Sequence, residues 1–153
     1  MSDHTIRFRL NGEEREVRVP ATARLIDLVR DICGLTGTKE GCSVGVCGAC
    51  SVLVDGELLS GCLVPALFVD GASVTTVEGI ATGTLTPLQE AFITEGGFQC
   101  GICTPGQIVA ATALLCAHPR PTDDLISEWM MGNLCRCTGY HGIVRAIKKA
   151  ARA

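Results

Sequence analysis

The sequence has little of what marks several common classes of protein. Aromatic residues make up only 4% of its 153 residues, so the core must be built mainly from aliphatic side chains. No apolar run approaches the roughly 20 residues that a membrane-spanning helix needs. Lysine and arginine form no run, and the formal net charge is −3, so we expect no direct membrane insertion and no binding to nucleic acid.

The start of the sequence does not resemble a targeting signal. Its first ten residues are polar and charged, without the apolar segment of a secretory signal or a twin-arginine motif. We therefore expect a cytoplasmic protein whose thiols stay reduced. This expectation bears on the most prominent feature of the composition, which is ten cysteines. Clustered cysteines in a reducing compartment bind metal more often than they form disulfides.

The hydrophobic pattern of the first half predicts a small mixed α/β unit. Short runs alternate between apolar and polar residues, as in half-buried strands, and Asn11-Gly12 and Asp55-Gly56 are typical hairpin turns. One run has the helical spacing of an amphipathic helix. The predicted elements are strands at 6–10 and 17–19, a helix at 25–32, a hairpin at 51–59 and a strand at 73–77.

Helical spacing takes over after residues 79–86, a segment rich in glycine, alanine and threonine. About four helices are expected beyond it. Thr104-Pro105 is a typical helix start, with threonine as the N-cap and proline in the first helical position. The sequence thus predicts an α+β chain with a first domain at 1–78, a connector at 79–86 and a helical domain at 87–153.

Four cysteines of the first half are spaced as C-x4-C-x2-C with a fourth cysteine further along, which is typical of plant-type [2Fe–2S] ferredoxins. They are Cys42, Cys47, Cys50 and Cys62. Glycines within the loop permit the backbone angles needed to wrap a cluster and let N–H groups approach the sulfurs. Zinc ribbons prefer two C-x2-C pairs, and only one is present here. An iron–sulfur cluster is therefore favoured over zinc or core thiols.

A second group combines a C-x2-C pair with a C-x-C pair. Its members are Cys100, Cys103, Cys135 and Cys137. Cys103 directly precedes the predicted helix start, where the helix dipole and free N–H groups favour an anionic group. This spacing is less diagnostic: it favours an iron–sulfur cluster but leaves zinc and redox or structural thiols open. The other cysteines, Cys33 and Cys116, are expected to be buried as small apolar side chains.

With both groups considered, the chain resembles the small iron–sulfur subunit of the molybdenum hydroxylases, the xanthine oxidase family. The resemblance extends from Ile6 to about Lys149 and makes the second cluster expected. Ser43 stands where many relatives have glycine. The matching motifs are GTKEGC at 37–42, CGAC at 47–50, QCGICTPG at 99–106 and GNLCRCTGY at 132–140.

The resemblance implies a β-grasp ferredoxin domain followed by a four-helix domain, each holding one [2Fe–2S] cluster. It implies electron transfer between the molybdenum–pyranopterin centre of a large subunit and FAD, usually on a medium subunit, or another acceptor. It places Gln99 and Cys137 near the pyranopterin and leaves no catalytic residue for the substrate on this chain. A stand-alone two-cluster ferredoxin and a zinc-stapled interaction protein are the alternatives.

Overall fold

The computed structural model describes residues 3–81 and 83–153. Within this part of the chain, five strands form one mixed sheet in the order β2-β1-β5-β3-β4. Both predicted hairpins form, because β1 pairs antiparallel with β2 and β3 pairs antiparallel with β4. β5 lies between the hairpins, parallel to β1 and antiparallel to β3. The strands are β1 Asp3–Leu10, β2 Glu13–Pro20, β3 Ser51–Val54, β4 Glu57–Ser60 and β5 Ser73–Thr75.

The sheet buries one face against a short helical segment. Ile6, Phe8 and Leu10 of β1 are at most 3% exposed, and the residues between them face solvent, as period-two alternation requires. The predicted helix at 25–32 forms in two parts, an α-helical turn α1 at Leu25–Asp27 and a π-helical turn at Leu28–Ile32. The wider turn lets the Cys33 N–H donate to the carbonyl of Leu28 at 2.9 Å.

The last strand is shorter than predicted. It ends at Thr75, and a 3-10 turn follows at Val77–Gly79. Asn11 explains this end, because its side-chain oxygen accepts from the N–H of Thr76 at 2.8 Å and its amide donates to the Thr76 hydroxyl at 3.0 Å. The side chain of Asn11, a turn residue of the first hairpin, therefore takes the place of the next strand residue that would hydrogen-bond to β5.

The second half is helical in the described residues. Thr104 is the first residue of its helix and Cys103 occupies the N-cap position, so the predicted start is wrong by one residue. Thr122 caps the following helix by accepting from the N–H of Leu125 at 3.2 Å. The helices are α2 Pro87–Thr94, α3 Thr104–Ala117, α4 Asp123–Met130 and α5 His141–Ala150.

The helices pack around a second core and against the sheet. That core includes Phe92, Leu114 and Ile147, each at most 1% exposed. Leu58 of β4 and Ile80 pack against it as well, so the two halves share an apolar contact. Among the described residues, no helix is both long and apolar enough to cross a membrane.

Candidate metal centres

The first thiol group lies in the loop before β3. The backbone N–H groups of Val46 and Cys47 donate to the sulfur of Cys42 at 3.3 and 3.4 Å. Hydrogen bonds from the backbone of Val44, Cys47 and Val46 lower the pKa of the Cys42 thiol to about 6. N–H groups directed at a sulfur favour its thiolate form, which is the form that binds metal.

The other two thiols of this group are buried. Cys50 and Cys62 are 2% and 4% exposed and form a small cluster with Ile26. Burial raises the pKa of Cys50 to about 11, and its side chain is in hydrogen-bonding contact with that of Cys62. The first group thus consists of a partly exposed pair, Cys42 with Cys47, and a buried pair.

The loop adopts a left-handed backbone conformation at Ser43, where φ is +58°. Glycine adopts this conformation without steric cost, whereas a residue with a Cβ such as serine is strained there. In this chain the Ser43 hydroxyl donates to a carboxylate oxygen of Glu40 at 2.7 Å. That local hydrogen bond offsets part of the strain.

The second thiol group joins the start of α3 to the loop between α4 and α5. The sulfur of Cys137 lies 3.5 Å from that of Cys100. Cys103 and Cys135 form the other contact, and burial raises the pKa of Cys103 to about 12. The fold therefore brings together all four cysteines predicted from the sequence, again as two close pairs.

Cys135 is surrounded by polar neighbours from its own loop. The Thr138 hydroxyl lies 3.1 Å from the Cys135 sulfur, and the Thr138 N–H donates to it at 3.4 Å. The N–H of Cys135 donates to the Tyr140 hydroxyl at 2.8 Å. Burial raises the pKa of Cys135, but hydrogen bonds from Thr138, Cys137 and Cys103 together outweigh burial, so the pKa is lowered overall.

One side of the second group is open to solvent. Cys100 and Cys137 are exposed, as are Gln99 and Arg136, whereas Cys103 is half-buried. Backbone hydrogen bonding from Ile102 lowers the pKa of Cys100, and contact with Cys100 raises that of Cys137. The two residues that the resemblance places near a pyranopterin thus lie on the accessible side.

The arrangement of the sulfurs indicates whether they suit a single zinc ion or a [2Fe–2S] cluster. Within residues 3–81 and 83–153, no set of three or more histidine, cysteine, aspartate or glutamate side chains is placed to hold one metal ion. Each thiol group is instead two close pairs. A [2Fe–2S] cluster takes four cysteine thiolates, two on each iron, so the pairs fit this cluster better than a single zinc ion.

The two other cysteines differ from each other. Cys33 is half-buried against the first core, and burial raises its pKa. Cys116 is exposed on α3, so the expectation that it is buried is wrong. Neither belongs to the two thiol groups, and no disulfide joins any of the ten cysteines, all of which lie in the described part of the chain.

Sequence reasoning did not identify the polar contacts between the two groups. The side-chain amide of Asn133 donates to the carbonyl of Gly48, next to Cys47, at 2.9 Å. The buried Gln107 amide donates to the carbonyl of Asn133 at 2.6 Å. The only signal in the sequence was the position of both residues within or next to cysteine-containing motifs.

Comparisons with known proteins agree with this geometry. A family model described as "2Fe-2S iron-sulfur cluster binding domain" matches residues 8–76, and one described as "[2Fe-2S] binding domain" matches residues 76–148. Fold and site together therefore define a protein with two [2Fe–2S]-binding domains. The chain belongs to the family of small iron–sulfur subunits of the molybdenum hydroxylases, and its role is that of an electron-transfer subunit of an oxidoreductase.

Individual relatives match over nearly the whole chain. The nicotinate dehydrogenase small FeS subunit of Eubacterium barkeri is 46% identical over 151 residues, covering 98% of this chain and 96% of that protein. The nicotine 6-hydroxylase small subunit of Paenarthrobacter nicotinovorans is 48% identical over 145 residues, covering 95% of this chain and 88% of that protein.

Solved structures show the same fold. Quinoline 2-oxidoreductase from Pseudomonas putida 86 matches with a TM-score of 0.96 and 42% identity, over 99% of this chain and 95% of that chain. Aldehyde oxidoreductase from Desulfovibrio gigas matches with a TM-score of 0.93 and 43% identity, over 97% of this chain but 17% of that chain. In the latter protein, a unit like this one is part of a much longer polypeptide.

Proposed function

We propose that this chain binds two [2Fe–2S] clusters and conducts electrons between a molybdenum–pyranopterin centre on a large catalytic subunit and FAD or another acceptor. The first cluster is bound by Cys42, Cys47, Cys50 and Cys62, and the second by Cys100, Cys103, Cys135 and Cys137. The observation that carries the proposal is the pairing of thiols in both groups, which suits two irons each.

The proposed domains follow from where the elements begin and end. We propose a β-grasp domain at 1–78, a connector at 79–86 and a four-helix domain at 87–153. In support, the last strand ends at Thr75 and α2 begins at Pro87.

The chain's own residues prepare both sites for an anionic cluster. A bound [2Fe–2S] cluster accepts and returns one electron at a time. Backbone N–H groups donate to the sulfur of Cys42 in the first site, and Thr138 donates to that of Cys135 in the second. Such donors stabilise negative charge on sulfur and help to set a cluster's potential. Burial of Cys50 and Cys62 keeps water from one side of the first site.

The exposed side of the second site is the proposed contact with the large subunit. Gln99 and Cys137 are exposed there, and the resemblance places both near the pyranopterin. Large apolar side chains are exposed nearby in sequence, with Phe98 at 43%, Ile102 at 56% and Leu134 at 50%. Exposed apolar surface of this kind marks interfaces between proteins.

We further propose that FAD is bound by a separate subunit and that the protein is located in the cytoplasm.

Metal analysis with spectroscopy tests the function. The chain, produced with its partner subunits, should contain iron and acid-labile sulfide in equal amounts and show two distinct EPR signals on reduction. Zinc without iron or sulfide would overturn the proposal and support the alternative of an interaction protein stabilised by zinc.

Size-exclusion chromatography distinguishes the proposed subunit from a stand-alone ferredoxin. Elution with larger molybdenum- and flavin-containing chains supports the proposal, whereas a cluster-loaded monomer without partners supports a stand-alone ferredoxin.

A further inference from the structure

Asn133 is a buried polar residue that connects the two thiol groups. It is 4% exposed, and its side-chain amide donates to the carbonyl of Gly48 at 2.9 Å and to the hydroxyl of Ser51 at 3.1 Å. Its own carbonyl accepts from the amide of Gln107 at 2.6 Å. One residue therefore hydrogen-bonds to the first cysteine loop, to β3 and to α3.

These contacts lie next to the thiols themselves. Gly48 directly follows Cys47, and Asn133 precedes Cys135 by two residues. The residue between them, Leu134, donates its N–H to the carbonyl of Cys47 at 2.8 Å. A movement of Asn133 would therefore shift a thiol-bearing residue on either side.

Backbone segments of the two halves pack closely in this region. Gly48 has a φ of +67°, and a Cβ there would collide with the carbonyl of Gly132 and lie 2.5 Å from the side-chain nitrogen of Asn133. A Cβ on Gly106 would collide with the carbonyl of Gly48. Gln107, one residue further along α3, is fully buried. Asn133 thus lies where the first cysteine loop, α3 and the second cysteine loop pack closely against one another.

We propose that Asn133 is a positioning residue that fixes the distance and orientation between the two clusters and thereby sets the rate of electron transfer between them. The proposal rests on the function proposed above. In the transfer step one electron leaves the reduced cluster of the second group and reduces the oxidised cluster of the first, with no proton required. Asn133 is not one of the proposed cluster ligands. It acts through its hydrogen bonds to Gly48, Ser51 and Gln107 and through its own chain neighbours.

The test uses the assembled complex carrying Asn133→Ala, with Trp129→Phe as a matched control. The indole N–H of Trp129 donates to the carbonyl of Ala110 at 3.0 Å, so the control removes a similar hydrogen bond that lies within the helical half. Two quantities are measured: the magnetic splitting between the two reduced clusters by low-temperature EPR, and the rate of intramolecular electron transfer after flash reduction. Both depend on the separation of the clusters, whereas a simple loss of stability changes neither.

In Asn133→Ala we expect an altered splitting and transfer slowed several-fold, with the potential of each cluster unchanged. Trp129→Phe should melt at a lower temperature with both quantities as in the wild type. Unchanged splitting and rate in Asn133→Ala would overturn the proposal.

If Asn133→Ala loses a cluster, the same two quantities are measured in Ser51→Ala, which removes only one hydrogen-bond partner of Asn133. A smaller change of splitting and rate in the same direction supports the proposal, and no change in either overturns it. Failure of the proposed function is distinct, since the wild-type chain would then show no pair of cluster signals.

Discussion

The main-chain N–H of Leu134 donates a hydrogen bond of 2.8 Å to the carbonyl oxygen of Cys47. Because Cys47 belongs to the first thiol group and Cys135 follows Leu134, covalent bonds and a single hydrogen bond join a sulfur of one group to a sulfur of the other. The two halves of the chain are therefore connected most directly at the point where electrons are proposed to cross.

The close approach of α3 to the first cysteine loop predicts a strong effect of Gly106→Ala. Alanine would favour the helix by about 1 kcal/mol, but its Cβ would collide with the carbonyl of Gly48, and overpacking of this kind costs about 1–3 kcal/mol. We expect a net loss of unfolding free energy, measured by chemical denaturation. Gly132→Ala is the control. A Cβ at Gly132 meets nothing within 4 Å, so its effect should stay within about 0.5 kcal/mol. Equal effects of the two substitutions would contradict this account.

The two thiol groups should lose their clusters independently. Cys62→Ser removes a buried ligand of the first group, and Cys103→Ser removes a ligand of the second. Each variant is expected to lose about half of the iron and one EPR signal while keeping the other, because thiolates rather than hydroxyls hold such clusters. Cys116→Ser, which changes an exposed thiol outside both groups, should keep the full iron content. Loss of both signals in each ligand variant would show that neither site forms without the other.

The hydroxyl of Thr138 should tune the potential of the second cluster. A metal-bound Cys135 carries no proton, so at 3.1 Å the hydroxyl must be the donor. Donors to sulfur stabilise the more negative, reduced state, so Thr138→Val should lower the potential. A hydrogen bond worth about 1 kcal/mol corresponds to about 40 mV for one electron. Redox titration followed by EPR measures the change. Thr138→Ser retains the hydroxyl and should leave the potential near that of the wild type, and the first cluster's potential should not move in either variant.

Alkylation should distinguish the two cysteines outside the thiol groups. The thiolate is the reactive form, and burial raises the pKa of Cys33, so little thiolate is present at neutral pH. In the cluster-loaded chain, iodoacetamide should label the exposed Cys116 first, as read by mass spectrometry of peptides. Labelling of Cys33 should accelerate as the pH rises toward its elevated pKa. After denaturation, Cys33 and Cys116 should be labelled at equal rates. Equal labelling rates at neutral pH in the folded chain would contradict the burial of Cys33.

Local signals in the sequence predicted most elements of the fold. The two hairpins follow from alternating apolar residues around Asn11-Gly12 and Asp55-Gly56, and both pair as predicted. Cysteine spacing likewise predicted the members of both thiol groups, and the fold places these cysteines in close pairs. Periodicity was less reliable at element ends, where a single side chain such as that of Asn11 decides whether a strand continues.

Contacts between distant segments could not be predicted in this way. The hydrogen bond from Asn133 to Gly48 joins residues far apart in the sequence, and no periodic pattern connects them. Cys116 occupies an apolar stretch of α3, but it lies near the helix end, where the neighbouring elements no longer cover it. The hydrogen bond of Asn133 and the exposure of Cys116 both depend on how the folded helices and strands pack. The spacing of residues along the chain does not encode that packing.

The exposure of Cys100 and Cys137, against the burial of Cys50 and Cys62, gives the two sites unequal insulation. In a chain without its partners, an electron at the second site would be separated from dissolved dioxygen by little protein, and leakage would compete with useful transfer. A large subunit that covers that side would exclude dioxygen from the second site. Assembly of the complex would then reduce the loss of electrons to dioxygen.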